Sequence, residues 1–340
     1  MKINKNYFKN KTLLITGGTG SIGNAIVDYF IKYKINLKKI IIYSRDEWKQ
    51  YEMESRYKFK HNQDLRFYLG DVRDKDRLSR AIYGVDLVIH AAALKHVPIA
   101  EKNPSEYIKT NILGADNVIK AAIHNNVKKV VALSTDKAAN PINLYGTTKL
   151  ASDKLFVSAN YEYPKNNTIF SVVRYGNVIN SRGSVLPLFK EFKNKKAQTL
   201  PITHKDMTRF WISLEDGVKF VKNCFHWMHG GEIFVPKIKS IKTIDLARSV
   251  INNCKFKFIG IRPGEKIHET MCPLETSQLT LEFKKYYAIY PNTQILKKTK
   301  KNSKGEIGKP VEKDFQYSSN NISALLKKNE INFFIKNYIS

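Results

Sequence analysis

The stretch Lys11-Thr-Leu-Leu-Ile-Thr-Gly-Gly-Thr-Gly-Ser-Ile-Gly23 decides the fold of this chain. Its first six residues are typical of a buried strand, and a helical pattern follows the glycines as far as Tyr33. Gly17, Gly20 and Gly23 stand at intervals of three between the two elements. Such a turn lets the backbone approach a pyrophosphate, while the helix start adds N–H donors and a positive dipole end. The stretch therefore predicts a dinucleotide site, against the alternative of a turn without a ligand, with contacts from Gly17, Thr19, Gly20, Ser21, Ile22 and Gly23.

The second predicted strand, Lys39–Ser44, should end beside the ribose of this dinucleotide. An acidic residue about 20 positions after the glycines would bind the ribose 2′-hydroxyl. Ser44 and Arg45 occupy that place, and a hydroxyl with a guanidinium suits a 2′-phosphate. Lys49, one turn into the next helix, would add a second cation. This pattern predicts NADP as the cofactor, although Asp46 leaves NAD open.

Two further strands are predicted before the middle of the chain. The segment Leu65–Asp71 ends in Gly70-Asp71, and an acid at that edge could accept a hydrogen bond from an adenine amino group. The segment Val85–Ala93 runs into small residues, which would let the cofactor lie against the backbone. The expected cofactor contacts of this part are Asp71, Val72, Ala91, Ala92 and Lys95, the last of which should also reach the substrate.

Strands and helices alternate along the first half of the chain. This alternation predicts an α/β fold: a Rossmann doubly wound parallel sheet with a smaller C-terminal substrate-binding region. We expect residues 1–176 to form the NADP-binding core and later segments, at about 211–240, to return to it. Residues 177–340 should form mainly the substrate-binding region. One long helix is expected from Glu106 to about Asn125.

Composition limits the classes of function. The formal net charge is +28, but the lysines are spread along the chain without a zinc finger or a basic stripe with aromatics, so nucleic acid is not an expected partner. Cys224, Cys254 and Cys272 lack disulfide or metal spacing, and His226 and His229 lack partner ligands, so no metal is expected. No apolar run is long enough for a signal peptide or a membrane span, which predicts a cytoplasmic protein without a membrane partner.

The stretch from Ser134 to Lys149 carries the candidate catalytic residues. It leaves an apolar strand and enters a helix, and parallel sheets bind ligands beyond the carboxyl ends of their strands. Tyr145 and Lys149 are four residues apart and share a helix face, where an ammonium would favour the phenolate. A phenolate is a usable base for a sugar hydroxyl, although an ordinary exposed pair has the same spacing. Asp136 and Lys137 add two groups that could move or steer protons.

Polar and cationic residues are scattered singly through the C-terminal half. They include Asn177, Arg182, Arg209 and Arg262. Arginine suits bidentate recognition of phosphate, although each one alone is more often a surface charge. Together they predict a nucleotide-diphosphate substrate.

The glycine turn, Gly70-Asp71 and Tyr145-x-x-x-Lys149 together resemble the extended short-chain dehydrogenase/reductases. Over about residues 11–319 the chain is similar to the inverting UDP-N-acetylglucosamine 4,6-dehydratases, through the motifs Tyr43-Ser-Arg-Asp-Glu47, His90-Ala-Ala-Ala-Leu-Lys-His-Val-Pro98, Ser134-Thr-Asp-Lys-Ala-Ala-Asn-Pro-Ile-Asn-Leu-Tyr145, Arg174-Tyr-Gly-Asn-Val178, Met207-Thr-Arg-Phe-Trp211 and Gly260-Ile-Arg-Pro-Gly-Glu-Lys266. The resemblance implies an active site of Thr135, Asp136, Lys137, Tyr145 and Lys149. It implies UDP contacts from Asn177, Arg209, Arg262 and Glu265.

The resemblance also implies an activity. A lyase of this family holds NADP and converts UDP-N-acetylglucosamine to UDP-2-acetamido-2,6-dideoxy-β-L-arabino-hex-4-ulose, the first step towards pseudaminic acid on flagellin or surface glycans. C4 is oxidised, water is eliminated across C5 and C6, the hydride returns to C6, and C5 is inverted. The family also implies a homo-oligomer, a hexamer or a dimer. A UDP-N-acetylhexosamine 4-epimerase or a C5-retaining 4,6-dehydratase of the same fold is the alternative.

Roles follow for three side chains. Tyr145, supported by Lys149, would take the proton of the 4-hydroxyl. Asp136 would be the general acid at the 6-hydroxyl, and Lys137 would handle the C5 proton. Lys137 can act as a base only if its pKa falls well below the usual value of about 10.4.

Overall fold

A computed structural model of the chain describes residues 7–58, 64–163, 166–179, 185–195, 199–251 and 255–339. Arg182 and Cys254 lie outside these ranges. The described strands are β1 Thr12–Thr16, β2 Lys39–Ser44, β3 Leu65–Leu69, β4 Leu87–His90, β5 Lys129–Thr135, β6 Ile169–Tyr175, β7 Asn177–Val178, β8 Thr199–Ile202, β9 Thr208–Ile212, β10 Ile233–Pro236, β11 Lys239–Lys242, β12 Lys255–Phe258, β13 Thr270–Cys272, β14 Thr280–Glu282, β15 Tyr286–Ile289, β16 Lys309–Pro310 and β17 Tyr317–Ser318. The described α-helices are α1 Ser21–Lys32, α2 Glu47–Tyr57, α3 Lys75–Ile82, α4 Val97–Lys102, α5 Pro104–Tyr107, α6 Gly114–His124, α7 Leu144–Glu162, α8 Val185–Asn194, α9 Leu214–Trp227, α10 Thr243–Val250, α11 Thr293–Lys298 and α12 Lys328–Ile339.

The main sheet has ten strands in the order β16-β14-β15-β10-β6-β5-β4-β1-β2-β3. The strands from β3 to β10 are parallel to their neighbours, whereas β15, β14 and β16 form an antiparallel extension. The chain winds outwards in opposite directions from the neighbouring strands β1 and β4. The predicted α/β doubly wound fold is therefore confirmed, and ligands of such sheets bind where the strand order reverses.

Helices cover both faces of the parallel strands. On one face α1 packs against α9, and Ile26, Val218 and Phe225 contribute to the core. On the other face α3 and α6 pack together with α7, and Leu78 and Phe156 are buried there. All five residues of β1 are buried. Strands covered on both faces have continuous apolar sequences, which explains why their apolar runs predicted them.

The C-terminal half contributes both to the main sheet and to a smaller layer. β10 and the antiparallel extension belong to the main sheet. β7, β9 and β11 form a separate three-stranded sheet, and β8 pairs with β12. A third core, which includes Phe189, Leu200, Trp211, Ile241 and Leu246, joins these strands to α8 and α10. The boundary at residue 176 stays a prediction.

The helix expected from Glu106 to about Asn125 is divided into three consecutive pieces. A π-helical segment over 108–113 separates α5 from α6. Its buried Asn111 donates to the carbonyl of Leu94 and to Thr148 Oγ1, and accepts from the N–H of Leu94. π-helical turns are frequent at functional sites, and this one fixes the loop beside Lys95. None of the helices in the described ranges is long and apolar enough to cross a membrane.

Candidate active site

A cleft of about 1260 Å³ lies at the carboxyl ends of the parallel strands. It brings together segments that are far apart in the sequence. The candidate residues that line it are Gly17, Thr19, Gly20, Ser21, Ile22, Ser44, Arg45, Lys49, Asp71, Val72, Ala91, Ala92, Lys95, Thr135, Lys137, Tyr145, Lys149, Asn177, Arg209, Arg262 and Glu265. Two candidates, Gly23 and Asp136, lie behind this lining.

The glycine turn is shaped for close approach of a ligand to the backbone. Gly17 has φ +64°, and a Cβ there would stand 2.8 Å from the Cα of Ala92. A Cβ on Gly23 would stand 2.2 Å from the Gly18 carbonyl oxygen, so Gly23 serves the packing of α1 against the turn. Gly20 caps α1 without a side-chain hydrogen bond, which leaves the N–H groups of the first helical turn free of a side-chain cap. These features fit a bound pyrophosphate.

The end of β2 presents cations to the cleft. Arg45 and Lys49 line it, and both side chains are more than a third exposed. Asp46 is the N-cap of α2, where its carboxylate accepts from the N–H of Lys49 and pairs with the ammonium of the same residue. Ser44 is held by Gln50, whose amide donates to its hydroxyl at 3.0 Å. Asp46, the acidic residue that left NAD as an alternative cofactor, is therefore engaged as the N-cap of α2.

The carboxylate of Asp71 is also occupied, by hydrogen bonds from Arg73. Its carboxylate accepts three hydrogen bonds from Arg73, two from the guanidinium and one from the backbone N–H. Arg45 lies 3.7 Å from the same carboxylate. Although burial acts to raise the pKa of Asp71, the bonds from Arg73 outweigh it and lower the pKa. Asp71 therefore meets the cleft as an arginine-paired carboxylate, and its contact with adenine stays a prediction.

Tyr145 and Lys149 both face the cleft from the first turns of α7. Burial raises the pKa of Tyr145 to about 12, although the nearby Lys137 acts to lower it. Burial also lowers the pKa of Lys149, which is 3% exposed and has no hydrogen-bond partner among the described residues. The expectation that Lys149 keeps Tyr145 as a phenolate at neutral pH is therefore wrong for this arrangement, because desolvation of the phenol dominates.

Lys137 lies between two buried carboxylates. Its Nζ is 3.0 Å from Asp136 Oδ1 and 3.3 Å from Glu269 Oε1. Burial acts to lower the pKa of Lys137, but the charges of Asp136 and Glu269 outweigh it and raise the pKa. A lysine can act as a base only if its pKa is lowered, and this arrangement raises the pKa of Lys137 instead. Lys137 is an ammonium here, so it can donate a proton but cannot accept one, and the carboxylates around it make it a weak acid.

Asp136 reaches the cleft only through its neighbours. It is fully buried, and its Oδ1 accepts hydrogen bonds from Thr135 Oγ1 and from Lys137 Nζ. Its other oxygen, Oδ2, has no partner within the described part of the chain. A direct contact between Asp136 and a substrate hydroxyl would require movement of Lys137 or Thr135, because those two residues form the cleft surface in front of it.

Glu269 is the residue that sequence reasoning missed. It lines the cleft, is 2% exposed, and leaves Oε2 without a partner among the described residues. Arg209 Nε lies 3.9 Å from its other carboxylate oxygen. Glu269 follows the quoted Gly260–Lys266 motif by three positions, and that proximity was the one available signal.

Some of the residues that were expected to bind UDP form hydrogen bonds and ion pairs with one another. Arg209 is buried and donates to the carbonyls of Thr208, Lys266 and Ile267. Arg262 is exposed and makes a bidentate pair with Glu265 at 3.0 and 3.1 Å. Arg209 therefore holds the loop, and Arg262 is the guanidinium more available to a phosphate. Asn177 and Lys95 line the cleft, and their substrate contacts stay predictions.

Comparisons with known proteins agree with this geometry. The model of a family described as "Polysaccharide biosynthesis protein" matches residues 13–291. A Campylobacter jejuni protein named UDP-N-acetylglucosamine 4,6-dehydratase (inverting) is 57% identical over 318 residues, 92% of this chain and 94% of that protein. A protein of Rickettsia bellii named UDP-glucose 4-epimerase is 46% identical over 83% of each chain. The X-ray structure of Pen from Bacillus thuringiensis matches with a TM-score of 0.87 and 35% identity, over 97% of this chain and 98% of that one. The family resemblance drawn from the motifs is confirmed.

Proposed function

The chain belongs to the polysaccharide biosynthesis protein family and, within it, to the inverting UDP-N-acetylglucosamine 4,6-dehydratases, and from this premise we propose that it catalyses their reaction. The substrate is UDP-N-acetylglucosamine, and the product is the 6-deoxy-4-keto sugar nucleotide with C5 inverted. The observation that carries this proposal is the contact of Lys137 with Asp136 and Glu269 beside Tyr145. A sugar oxidation at C4 alone has no use for such a group, whereas elimination from C5 and C6 needs donors and acceptors of protons.

NADP is the proposed cofactor. It is supported by the glycine turn, by the uncapped start of α1, and by Arg45 and Lys49 at the end of β2. The N–H groups of α1 would hold the pyrophosphate, and the two cations would hold a ribose 2′-phosphate. Lys149, buried without a partner in the described part of the chain, would bind a ribose hydroxyl. The chemistry that the bound nicotinamide supplies is hydride uptake from C4 and hydride return to C6.

Protein groups handle the protons. Tyr145 accepts the proton of the 4-hydroxyl as a phenolate; because burial raises its pKa to about 12, the charge of Lys137, which acts to lower that pKa, must stabilise the phenolate. The free oxygen of Glu269 accepts the proton that leaves C5. Asp136 receives a proton from the ammonium of Lys137, 3.0 Å away, and passes it, through the cleft surface in front of it, to the 6-hydroxyl, which departs as water. Lys137 then takes the C5 proton from Glu269, 3.3 Å away, and returns a proton to C5. Two protons are accepted and two are donated, so the steps balance.

A second candidate is a 4-epimerase of the same fold. The Rickettsia relative named UDP-glucose 4-epimerase favours it. Such an enzyme needs Tyr145 and the cofactor, but it does not need Lys137 and the two carboxylates of Asp136 and Glu269. A C5-retaining dehydratase is the third outcome that the experiment below separates.

A proton NMR time course with UDP-N-acetylglucosamine in deuterated water tests the proposal. A new C6 methyl signal, with deuterium at C5 and inverted configuration, is expected. A methyl signal with C5 retained would contradict the inversion and the role of Lys137. Formation of UDP-N-acetylgalactosamine without a methyl signal would show that the chain is an epimerase.

We also propose that this reaction begins the route to pseudaminic acid on flagellin or surface glycans, and that the chain acts as a hexamer or a dimer. Both follow from the family. Detection of pseudaminic acid in cells whose only source of the keto sugar is this chain tests the first. Sedimentation of the purified protein tests the second.

A further inference from the structure

A second cavity lies apart from the catalytic cleft. It is formed between α9, the connection from β10 to β11, and the turn from β14 to β15. Its volume is about 630 Å³, in the range of pockets that hold metabolites. No described residue lines both the cavity and the cleft. The proposed reaction gives this cavity no role.

Three polar side chains that line the cavity are buried, and two of them have polar atoms without hydrogen-bond partners among the described residues. Lys222 and Trp227 are each 3% exposed, and His226 is 7% exposed. Within the described part of the chain, the indole N–H of Trp227 and both ring nitrogens of His226 lack partners. Burial, and then the charge of Lys219, lower the pKa of the third group, the ammonium of Lys222. Buried polar groups are nearly always bonded, and buried lysines are nearly always paired. Because these groups are mainly donors, the missing partner is an acceptor.

The charge around the cavity is mainly positive, although Lys237 pairs with Glu282 at 2.6 Å. Seven lysines and one acidic residue are among its described lining residues. The acid, Asp216, accepts a hydrogen bond at 2.7 Å from Ser213, the N-cap of α9, whose hydroxyl accepts in turn from the N–H of Asp216. Lys219 lies one helical turn before Lys222, so the two ammonium groups repel each other without an anion between them. This charge excludes a metal ion or a cationic ligand.

The rest of the lining is apolar. Trp211 and Ile212 come from β9, Phe220 from α9, and Ile238 from the β10–β11 connection. Apolar walls of this kind bury a hydrocarbon or aromatic body, whereas inorganic phosphate alone would leave them uncovered. We propose that the cavity is a binding site for a small organic anion, with an oxyanion head at Lys222, His226 and Trp227 and an apolar body against β9 and Phe220.

Titration with 1-anilinonaphthalene-8-sulfonate, an aromatic anion, tests this site. Two of the three tryptophans of the chain, Trp211 and Trp227, line the cavity, so energy transfer from tryptophan reports binding there. The protein is first saturated with NADP and UDP to fill the catalytic cleft. We expect one probe molecule to bind per chain. We expect 1-naphthyl phosphate or 1-naphthoate to displace it, whereas 1-naphthol and inorganic phosphate should not. The stronger of the two competitors identifies the head group as phosphate or carboxylate.

Lys222→Met is the informative variant. It keeps the length of the side chain, removes the charge, and should raise the Kd of the probe about tenfold or more. Lys75→Met removes the same charge from an exposed position on α3 and should leave the Kd unchanged. Trp227→Phe keeps an aromatic ring but loses the N–H; it should also weaken binding, read from the emission of the directly excited probe.

Three results would overturn the site. The first is absence of probe binding once the protein is saturated with NADP and UDP, because the probe would then need the catalytic cleft. The second is equal displacement by 1-naphthol, because the oxyanion would then be unnecessary. The third is an unchanged Kd in both Lys222→Met and Trp227→Phe, provided that their melting temperatures match the parent protein. Binding requires no turnover, so these results stand apart from the test of the dehydratase reaction.

Discussion

Lys137 Nζ lies 3.3 Å from Glu269 Oε1, so a residue of the C-terminal half controls the charge of one that follows β5. Glu269 acts to raise the pKa of Lys137. Replacing it by Gln removes that charge, and we expect the pKa of Lys137 to fall. Because Glu269 is also the proposed acceptor of the C5 proton, this variant should keep only residual activity. If Lys137 works as an ammonium, that residual activity is lost as pH rises through its pKa, so the alkaline limb of the kcat profile should move to lower pH. Steady-state rates measured across pH check this.

The pH profile of Glu269→Gln can also contradict the role of Lys137 as an ammonium. If Lys137 worked as a base, Glu269→Gln would increase the neutral fraction of Lys137 and raise activity near pH 7. An alkaline limb that stays in place would mean that Glu269 does not act through Lys137. Glu275→Gln, at an exposed carboxylate after β13, is the matched control and should leave the profile unchanged.

Tyr145→Phe removes the proposed acceptor of the 4-hydroxyl proton but keeps the ring. We expect kcat to fall by about 10²- to 10⁴-fold, the usual contribution of a positioned acid or base. The Kd for UDP-N-acetylglucosamine, measured by calorimetry, should change little. Tyr161→Phe, on the same helix but outside the cleft lining, should behave as the parent protein. Activity of Tyr145→Phe near that of the parent would remove Tyr145 from the mechanism.

Arg45 and Lys49 should determine the preference for NADP over NAD. Replacing both, as Arg45→Ala with Lys49→Met, removes two charged donors at the end of β2. We expect the Kd for NADP to rise at least tenfold and the Kd for NAD to change little, because only NADP carries the 2′-phosphate. Fluorescence titration with each reduced cofactor measures both constants. Arg66→Ala, at an exposed ion pair on β3, is the control. Equal losses for both cofactors would contradict the 2′-phosphate contact.

Arg174 and Asp153 should matter for stability rather than for chemistry. Their side chains, 3.1 Å apart, are both buried, and Asp153 also accepts from Ser134 Oγ. Arg174→Met leaves a buried carboxylate without its cation and should cost about 3 to 5 kcal/mol in the free energy of unfolding. Urea denaturation followed by circular dichroism measures this. Arg248→Met breaks an exposed pair with Asp245 and should cost less than about 1 kcal/mol. Equal losses in the free energy of unfolding for the two variants would show that the buried Arg174–Asp153 pair contributes no more to stability than an exposed pair.

The fold and the cofactor end of the site were predictable because their signals are local. The glycine spacing, the apolar strands and the helix starts each depend on neighbours within a few residues. The charge states of Tyr145 and Lys137 were not predictable from spacing. The charge state of Tyr145 depends on burial, and that of Lys137 depends also on Glu269. Glu269 lies just before β13, and folding brings it to the end of β5. The interrupted helix at Asn111 was missed for the same reason, since its partners Leu94 and Thr148 come from other segments.

The contact between Lys137 and Glu269 also orders events during synthesis of the chain. A nascent chain that has emerged as far as β6 already contains the glycine turn, Tyr145 and Lys149. It lacks Glu269, which the ribosome adds only after β12. Domains form progressively from the N-terminus as they are made. Such a chain also lacks α9, which packs against α1, and β10, which pairs with β6. Glu269 is the last described lining residue of the cleft in sequence order, so the proton-handling group is completed after the rest of the cleft has been synthesised.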